Sequence, residues 1–241
     1  MEELLIIRDL NKHYDGIIAV DKVNFTIMPG TITGIYGDNG AGKTTLFNII
    51  SGFEKADMGN IVFEGEDITR KSVIYRSRKG IGRLFQIPRI FSDVSVLGNL
   101  LAAGNNHEAK YLHNYVLKPA AIRQNILKDR DKAKNILKEF NLTSKAGLKA
   151  FELSVGEKRL LSLCSLLMNE AKLLLLDEPF AGINEIAALQ IQNYLISLKS
   201  RGMTLVMIEH DKTKLFELAD SVYEMKQGSL LKKTSTSHAN Y

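Results

Sequence analysis

The run Gly37-Asp38-Asn39-Gly40-Ala41-Gly42-Lys43-Thr44, followed by Thr45, places glycine, lysine and hydroxyl side chains at the spacing G-x-x-x-x-G-K-[ST]. That spacing suits phosphate chemistry. Glycines let successive backbone N–H groups turn into one concavity, and the N-terminus of a following helix adds its positive end, so an anion is favoured there. Lys43 would reach the β- and γ-phosphates of a nucleotide, and the Thr44 hydroxyl would bind Mg²⁺. The flanks are those the loop requires: residues 31–36 read as a strand and 44–50 as a helix. A plain glycine turn is the simpler account, but chance rarely sets Gly, Lys and Thr together between those two elements.

Three further groups end strands. After Lys172, residues 173–176 form an apolar run without alternation, as in a central strand of a parallel sheet covered on both faces, and it ends in Asp177 and Glu178. Open α/β sheets bind ligands at that carboxyl end. A second strand, 204–208, ends at Glu209-His210-Asp211 and brings a histidine to the same edge, whereas a single strand-end histidine is usually structural. A third, 81–86, ends in the amide of Gln86, which matters only if it lies near the nucleotide. Ser154 and Glu157 are spaced as a capping box, an ordinary structural device. The same geometry leaves a hydroxyl and a bare glycine, Gly156, at a helix N-terminus, a second anion site. Tyr14, an aromatic in polar surroundings, reads alone as a half-buried strand residue; beside a phosphate loop it can stack on an adenine ring.

The elements that must position these groups follow from pattern. Residues 4–8 and 23–28 read as strands on either side of a turn at Asp15-Gly16, an antiparallel ribbon. Residues 61–63 and 65–68 make a short hairpin, and the basic cluster 76–80 leads into the strand at 81. From about 100 to 147, Asn, His, Lys and Asp interleave with apolar residues at helical steps: Ile122 and Ile126, then Ala133, Ile136, Leu137 and Phe140. This block predicts a helical subdomain inserted into the α/β core. After a break at Gly182-Ile183-Asn184, Ile191, Leu195 and Leu198 share one helix face. A hairpin around Gln227-Gly228 precedes a polar tail with the composition of disorder.

Composition sets the bounds. The chain of 241 residues, 45% hydrophobic and 24% charged, can bury a full core. A net charge of +5 is spread along it and points to a solvated surface rather than nucleic acid or an anionic membrane. The single cysteine, Cys164, excludes an internal disulfide and a cysteine-based zinc cluster; it lies in an apolar run and reads as a buried thiol suited to a reducing cytoplasm. That run is far short of the roughly 20 residues needed to cross a bilayer. The acidic start Met1-Glu2-Glu3 lacks the basic region of a secretory signal, so a cytoplasmic location is expected.

In their order, Tyr14, the phosphate loop, Gln86, Leu153-Ser154-Val155-Gly156-Glu157, Leu176-Asp177-Glu178-Pro179 and His210 resemble the ATP-binding subunit of ABC transporters over nearly the whole chain. The resemblance implies an α/β fold: a P-loop NTPase core with a mostly parallel sheet, an N-terminal antiparallel β subdomain and an inserted α-helical subdomain. It implies one ABC-type ATPase domain over residues 1–241, with 100–168 approximately the helical part. It implies that Tyr14 stacks on adenine and that Gly37, Asp38, Asn39, Gly40, Ala41, Gly42, Lys43, Thr44 and Thr45 hold the phosphates. Ser154 and Gly156 would be signature residues, Glu178 the catalytic base, and His210 and Gln86 further catalytic groups. Thr44, Gln86 and Asp177 would hold Mg²⁺. The implied partners are membrane permease subunits and a second ATPase subunit, identical or related, facing the first head to tail, on the inner face of the cell membrane.

Gly80-Ile81-Gly82-Arg83-Leu84-Phe85-Gln86, the long insert, Ala181-Gly182-Ile183-Asn184 and Ile208-Glu209-His210-Asp211 are most similar to the branched-chain amino-acid uptake group; lipid exporters share parts of this set. The chain departs from the family pattern at Val155, Glu157 and Ser165, and 232–237 stand where a C-terminal segment often follows. ABC-type ATPase domains also serve soluble machines acting on nucleic acid or ribosomes. Those chains generally carry two such domains or a long coiled-coil insert, and this one shows neither, so no nucleic-acid partner is expected.

Overall fold

The computed structural model describes residues 2–104 and 119–233. Ile122 has no described side chain, and the polar tail from residue 234 lies outside the described residues. The chain divides into two compact units: Met1–Gln86 with Lys172–Ala181 and Gln190–Tyr241, and Ile87–Ala171 with Gly182–Leu189.

The first unit holds two sheets. β1 (Leu5–Tyr14), β2 (Ile17–Ile27), β4 (Met58–Phe63) and β5 (Glu66–Asp67) form an antiparallel sheet in the order β2-β1-β4-β5. β1 and β2 run farther than their apolar ends predict, right up to a two-residue turn. Asp15 and Gly16 there have φ of 39° and 89°, and two positive φ values match the turn to the twist of the strands.

The second sheet has the order β10-β9-β3-β8-β7-β6, with β3 (Ile32–Tyr36), β6 (Ile81–Leu84), β7 (Leu173–Asp177), β8 (Thr204–Ile208), β9 (Ser221–Lys226) and β10 (Ser229–Lys233). Only β10, paired with β9, is antiparallel. Every residue of β3, β7 and β8 is buried, which is why those strands carry no polar alternation. Because β3, β7 and β8 are parallel neighbours, their carboxyl ends share one edge.

α1 (Lys43–Ser51) joins the two sheets: Leu46, Phe47 and Ile50 share a core cluster with Leu5 and Phe63 of the first and Leu175 and Val206 of the second. The basic cluster before β6 is a helix, α2 (Val73–Lys79), and its Arg76 points inward. Arg76 is 1% exposed and donates to the carbonyls of Ile49, Ile50, Thr69 and Lys71 at 2.6, 2.8, 2.9 and 3.1 Å. The last turn of α1 holds no basic residue, so Arg76 supplies from outside the cation that a helix C-terminus favours. Burial lowers its pKa to about 10.

In the second unit α3 (Val96–Ala103), α4 (Pro119–Glu139) and α5 (Val155–Leu167) pack on one another. Ala133, Ile136, Leu137 and Phe140 are buried, together with Leu160, Leu161 and Cys164 of α5; burial pushes the Cys164 thiol up. Ile126, expected on the apolar face, is 45% exposed. Its spacing marks a stripe on the helix, but whether a stripe is covered depends on what packs there. α6 (Glu185–Ser200) begins in the second unit, and its later part, with Ile191, Leu195 and Leu198 buried, belongs to the first; α7 (Lys212–Leu218) follows β8. Among the described residues, no helix is long and apolar enough to cross a membrane.

Candidate active site

The loop from β3 to α1 has the form its residues predict. Gly42 is the N-cap of α1 with φ 105°, and a Cβ there would lie 2.0 Å from the Ala19 carbonyl oxygen, so both backbone shape and close approach require glycine. No side chain caps the first turn of α1, and no acidic residue stands in it. The leading N–H groups of that helix are therefore free for an anion. Thr44 is exposed at this turn and Thr45 half-buried. Lys43 is 6% exposed, and its ammonium donates to the carbonyls of Gly37 at 2.7 Å and Asp38 at 2.9 Å, staying folded over the loop. Burial pulls its pKa down, against the upward pull of Glu178, Asp177 and Asp38.

The strand ends bring the other polar groups together. Glu178, directly after β7, accepts from Gln86 Nε2 at 2.8 Å on Oε2, and its Oε1 lies 2.7 Å from His210 Nε2. One carboxylate after β7 thus holds residues that follow two other strands, β6 and β8. Glu178 has φ 49°, its N–H donates to the Ile208 carbonyl at 3.0 Å, and its side chain is 15% exposed.

Asp177, the last residue of β7, is 5% exposed and accepts on Oδ2 from Arg83 Nη2 at 3.0 Å. Burial pushes its carboxyl up, while Arg83 opposes that shift. Arg83 also reaches Asn48 Oδ1 at 2.6 Å and Ser51 Oγ at 3.2 Å on α1. Sequence reasoning read Arg83 only as part of a motif. The available signal was period two, since Ile81 and Arg83 share one face of a buried strand and a buried arginine needs acceptors, of which a carboxylate is one.

Tyr14 ends β1 and is 39% exposed, with the Lys12 ammonium 5.2 Å from its ring centroid. Burial and Glu54 push its hydroxyl up, and a hydrogen bond with Thr45 opposes them, so it stands next to the phosphate loop. Ser154 and Gly156 belong to the second unit. Ser154 caps α5: its Oγ accepts from Glu157 N–H at 3.3 Å, and Glu157 Oε2 accepts from Ser154 N–H at 3.0 Å. Gly156 is buried, and a Cβ there would lie 2.8 Å from that of Ala187, whereas Ser154 and Val155 are exposed.

A loop built for phosphate beside strand-end carboxylates, an amide and a histidine can bind a nucleotide and direct water at it. Comparison with known proteins decides the kind: residues 20–181 match the ABC transporter family. The chain belongs to the ABC transporter family. It is an ATPase of that family. A probable branched-chain amino acid transport ATP-binding protein, LivG, of Archaeoglobus fulgidus is 35% identical, over 95% of this chain and 88% of that one. The high-affinity branched-chain amino acid transport ATP-binding protein LivG of Escherichia coli K12 is 30% identical, over 95% and 91%. The fold is similar to the crystal structure of an ATP-binding cassette of an ABC transporter in its ADP conformation, with TM-score 0.82 and 33% identity over 96% of this chain and 90% of that one. The two sheets and the helical unit of this ABC transporter ATPase are thus the P-loop NTPase core, the antiparallel β subdomain and the inserted helical subdomain.

Proposed function

We propose that this ABC transporter ATPase powers branched-chain amino-acid uptake, working as a pair on the inner face of the membrane against permease subunits. The observation that supports its chemistry best is Glu178 with one oxygen on Gln86 and the other on His210. The amino-acid reading rests on the likeness to the two LivG relatives, which are branched-chain amino acid transport ATP-binding proteins.

In this reading the loop N–H groups and Lys43 hold the ATP phosphates, and Tyr14 stacks on the adenine. Glu178 polarises the attacking water, Gln86 and His210 keep its carboxylate oriented until substrate arrives, and His210 then contacts the γ-phosphate. The Thr44 hydroxyl, the Asp177 carboxylate and the Gln86 amide oxygen are hard oxygen donors fitted to Mg²⁺, which takes few protein ligands and keeps water and phosphate for the rest. Asp177 accepts from Arg83 on Oδ2, so Oδ1 is the oxygen it would offer to the metal. When bound, Mg²⁺ neutralises charge on the phosphate oxygens. Ser154 and Gly156 at the head of α5 complete the site of the opposite subunit, so each ATP is enclosed by two chains and closure transmits force to the permease.

Uptake of labelled leucine, isoleucine and valine by cells lacking this chain tests the reading. Uptake should fall to background, return with the intact chain and stay lost with Glu178→Gln. Undiminished uptake, with a different solute failing to enter, refutes the amino-acid assignment. Normal phosphate release by Glu178→Gln refutes the assignment of the base.

A further inference from the structure

Glu209 is a buried carboxylate that the steps above leave unused. It is 5% exposed and stands one residue beyond β8, between that strand and His210. Its Oε1 accepts from the Phe180 N–H at 3.0 Å. Phe180 is two residues after Glu178, so this bond ties the chain leaving β7 to the chain leaving β8. The Glu209 N–H itself donates to the Ile35 carbonyl at 3.2 Å, which anchors the carboxylate to β3, the strand feeding the phosphate loop.

The segment it holds is strained. Glu178 at φ 49° occupies the left-handed region, which a non-glycine residue keeps only where neighbouring bonds hold it. Those bonds include Glu178 N–H to Ile208 O at 3.0 Å, Ala181 N–H to Glu178 O at 3.1 Å and the Phe180 bond to Glu209. The first two are made by main chain alone. The third depends on a side chain, and that side chain stands next to His210. Burial pushes the Glu209 carboxyl up, while the Phe180 and His210 backbone N–H groups favour its ion.

We propose that Glu209 is a positioning residue that acts through Glu178. By holding the Phe180 backbone it keeps the turn at Glu178 left-handed, and so keeps the Glu178 carboxylate between Gln86 and His210. Glu209 touches neither substrate nor metal. The inference rests on Glu178 being the base.

Its test is steady-state ATP hydrolysis by the full chain, with rates expressed per nucleotide-binding site so that loss of folded protein does not count. Glu209→Ala should lower kcat about tenfold or more with KM for ATP within about twofold, as expected when a catalytic group is displaced and ground-state binding is untouched. Glu209→Gln keeps an oxygen for the Phe180 N–H and should return kcat to within about threefold of the parent. If Glu209→Ala does not fold, Glu209→Asp, one methylene too short to reach Phe180, should show the same kcat loss. An unchanged kcat per site in Glu209→Ala or Glu209→Asp overturns the proposal, as does a Glu209→Gln variant as slow as the alanine one. Should Glu178→Gln hydrolyse ATP normally, the reading of the base fails instead, and the two failures are told apart by that variant.

Discussion

Arg83 and Asp177 form a buried ion pair, Nη2 to Oδ2 at 3.0 Å, with side chains only 4% and 8% exposed. The same guanidinium reaches Asn48 and Ser51 on α1 and stands 4.7 Å from the Phe85 ring centroid. It therefore links the end of β7 to the helix that starts at Lys43.

Removing one partner of a buried pair leaves the other charge uncompensated, at about 3–5 kcal/mol. Arg83→Met is expected to lower unfolding stability by about that much, read from the urea midpoint at constant m-value. A loss below about 1 kcal/mol would mean that water reaches Asp177 and that the pair is not the tie described here.

Lys43 already has two carbonyl acceptors in the loop, and a phosphate would replace them with a full negative charge. A charge-assisted hydrogen bond is worth about 1.5–3 kcal/mol, so Lys43→Ala should weaken nucleotide binding about ten- to a hundredfold. Equilibrium titration with a fluorescent ATP analogue measures it, and unchanged affinity contradicts the assignment.

Ser154→Ala separates two roles. Loss of the cap on α5 should cost about 1 kcal/mol of stability. A role toward the opposite subunit predicts, in addition, a defect in ATP-driven dimerisation seen by sedimentation at matched folded fraction. Normal dimerisation with only the stability loss would leave Ser154 as a cap.

Glu157 carries a pH dependence. Burial pushes its carboxyl up, but its bonds to Lys145 and to Ser154 outweigh that, and the net shift is below the usual value of 4.5. A carboxyl depressed in the fold contributes stability above its unfolded pKa and loses it as pH falls through the folded value. Thermal melts from pH 6 downward should therefore show a steeper loss below about 4.5 in the parent than in Glu157→Gln, which keeps the reach-back to Ser154 without the charge. Parallel curves would contradict the shift. The pair with Lys145 is partly exposed, so the difference near pH 7 should stay below about 1 kcal/mol.

How far the fold could be read from residues varied with what each reading depended on. The phosphate loop, the capping box at Ser154 and the turn at Asp15-Gly16 rest on neighbours in the chain, and their backbone forms follow from local sterics and hydrogen bonding. The unbroken apolar runs at β7 and β8 announced strands covered on both faces. Ile126 lay on a predicted apolar stripe and is exposed, because periodicity describes one helix and covering it takes another element. Arg76 lay in a basic cluster and is buried, because its partners are carbonyls at the end of α1 and no residue type signals a carbonyl.

Local chemistry thus specified the anion cradle, the order of the elements and the identity of the polar groups at strand ends, since each depends on a few contiguous residues. Long-range pairing settled the rest. The strand order β3-β8-β7-β6 sets Gln86, Glu178 and His210 on one edge, and it gives Arg83 to Asp177 and Phe180 to Glu209 across 94 and 29 positions of chain. Such contacts follow from which strands are neighbours, a matter of core packing and sheet pairing over the whole unit, and no stretch of sequence encodes them alone.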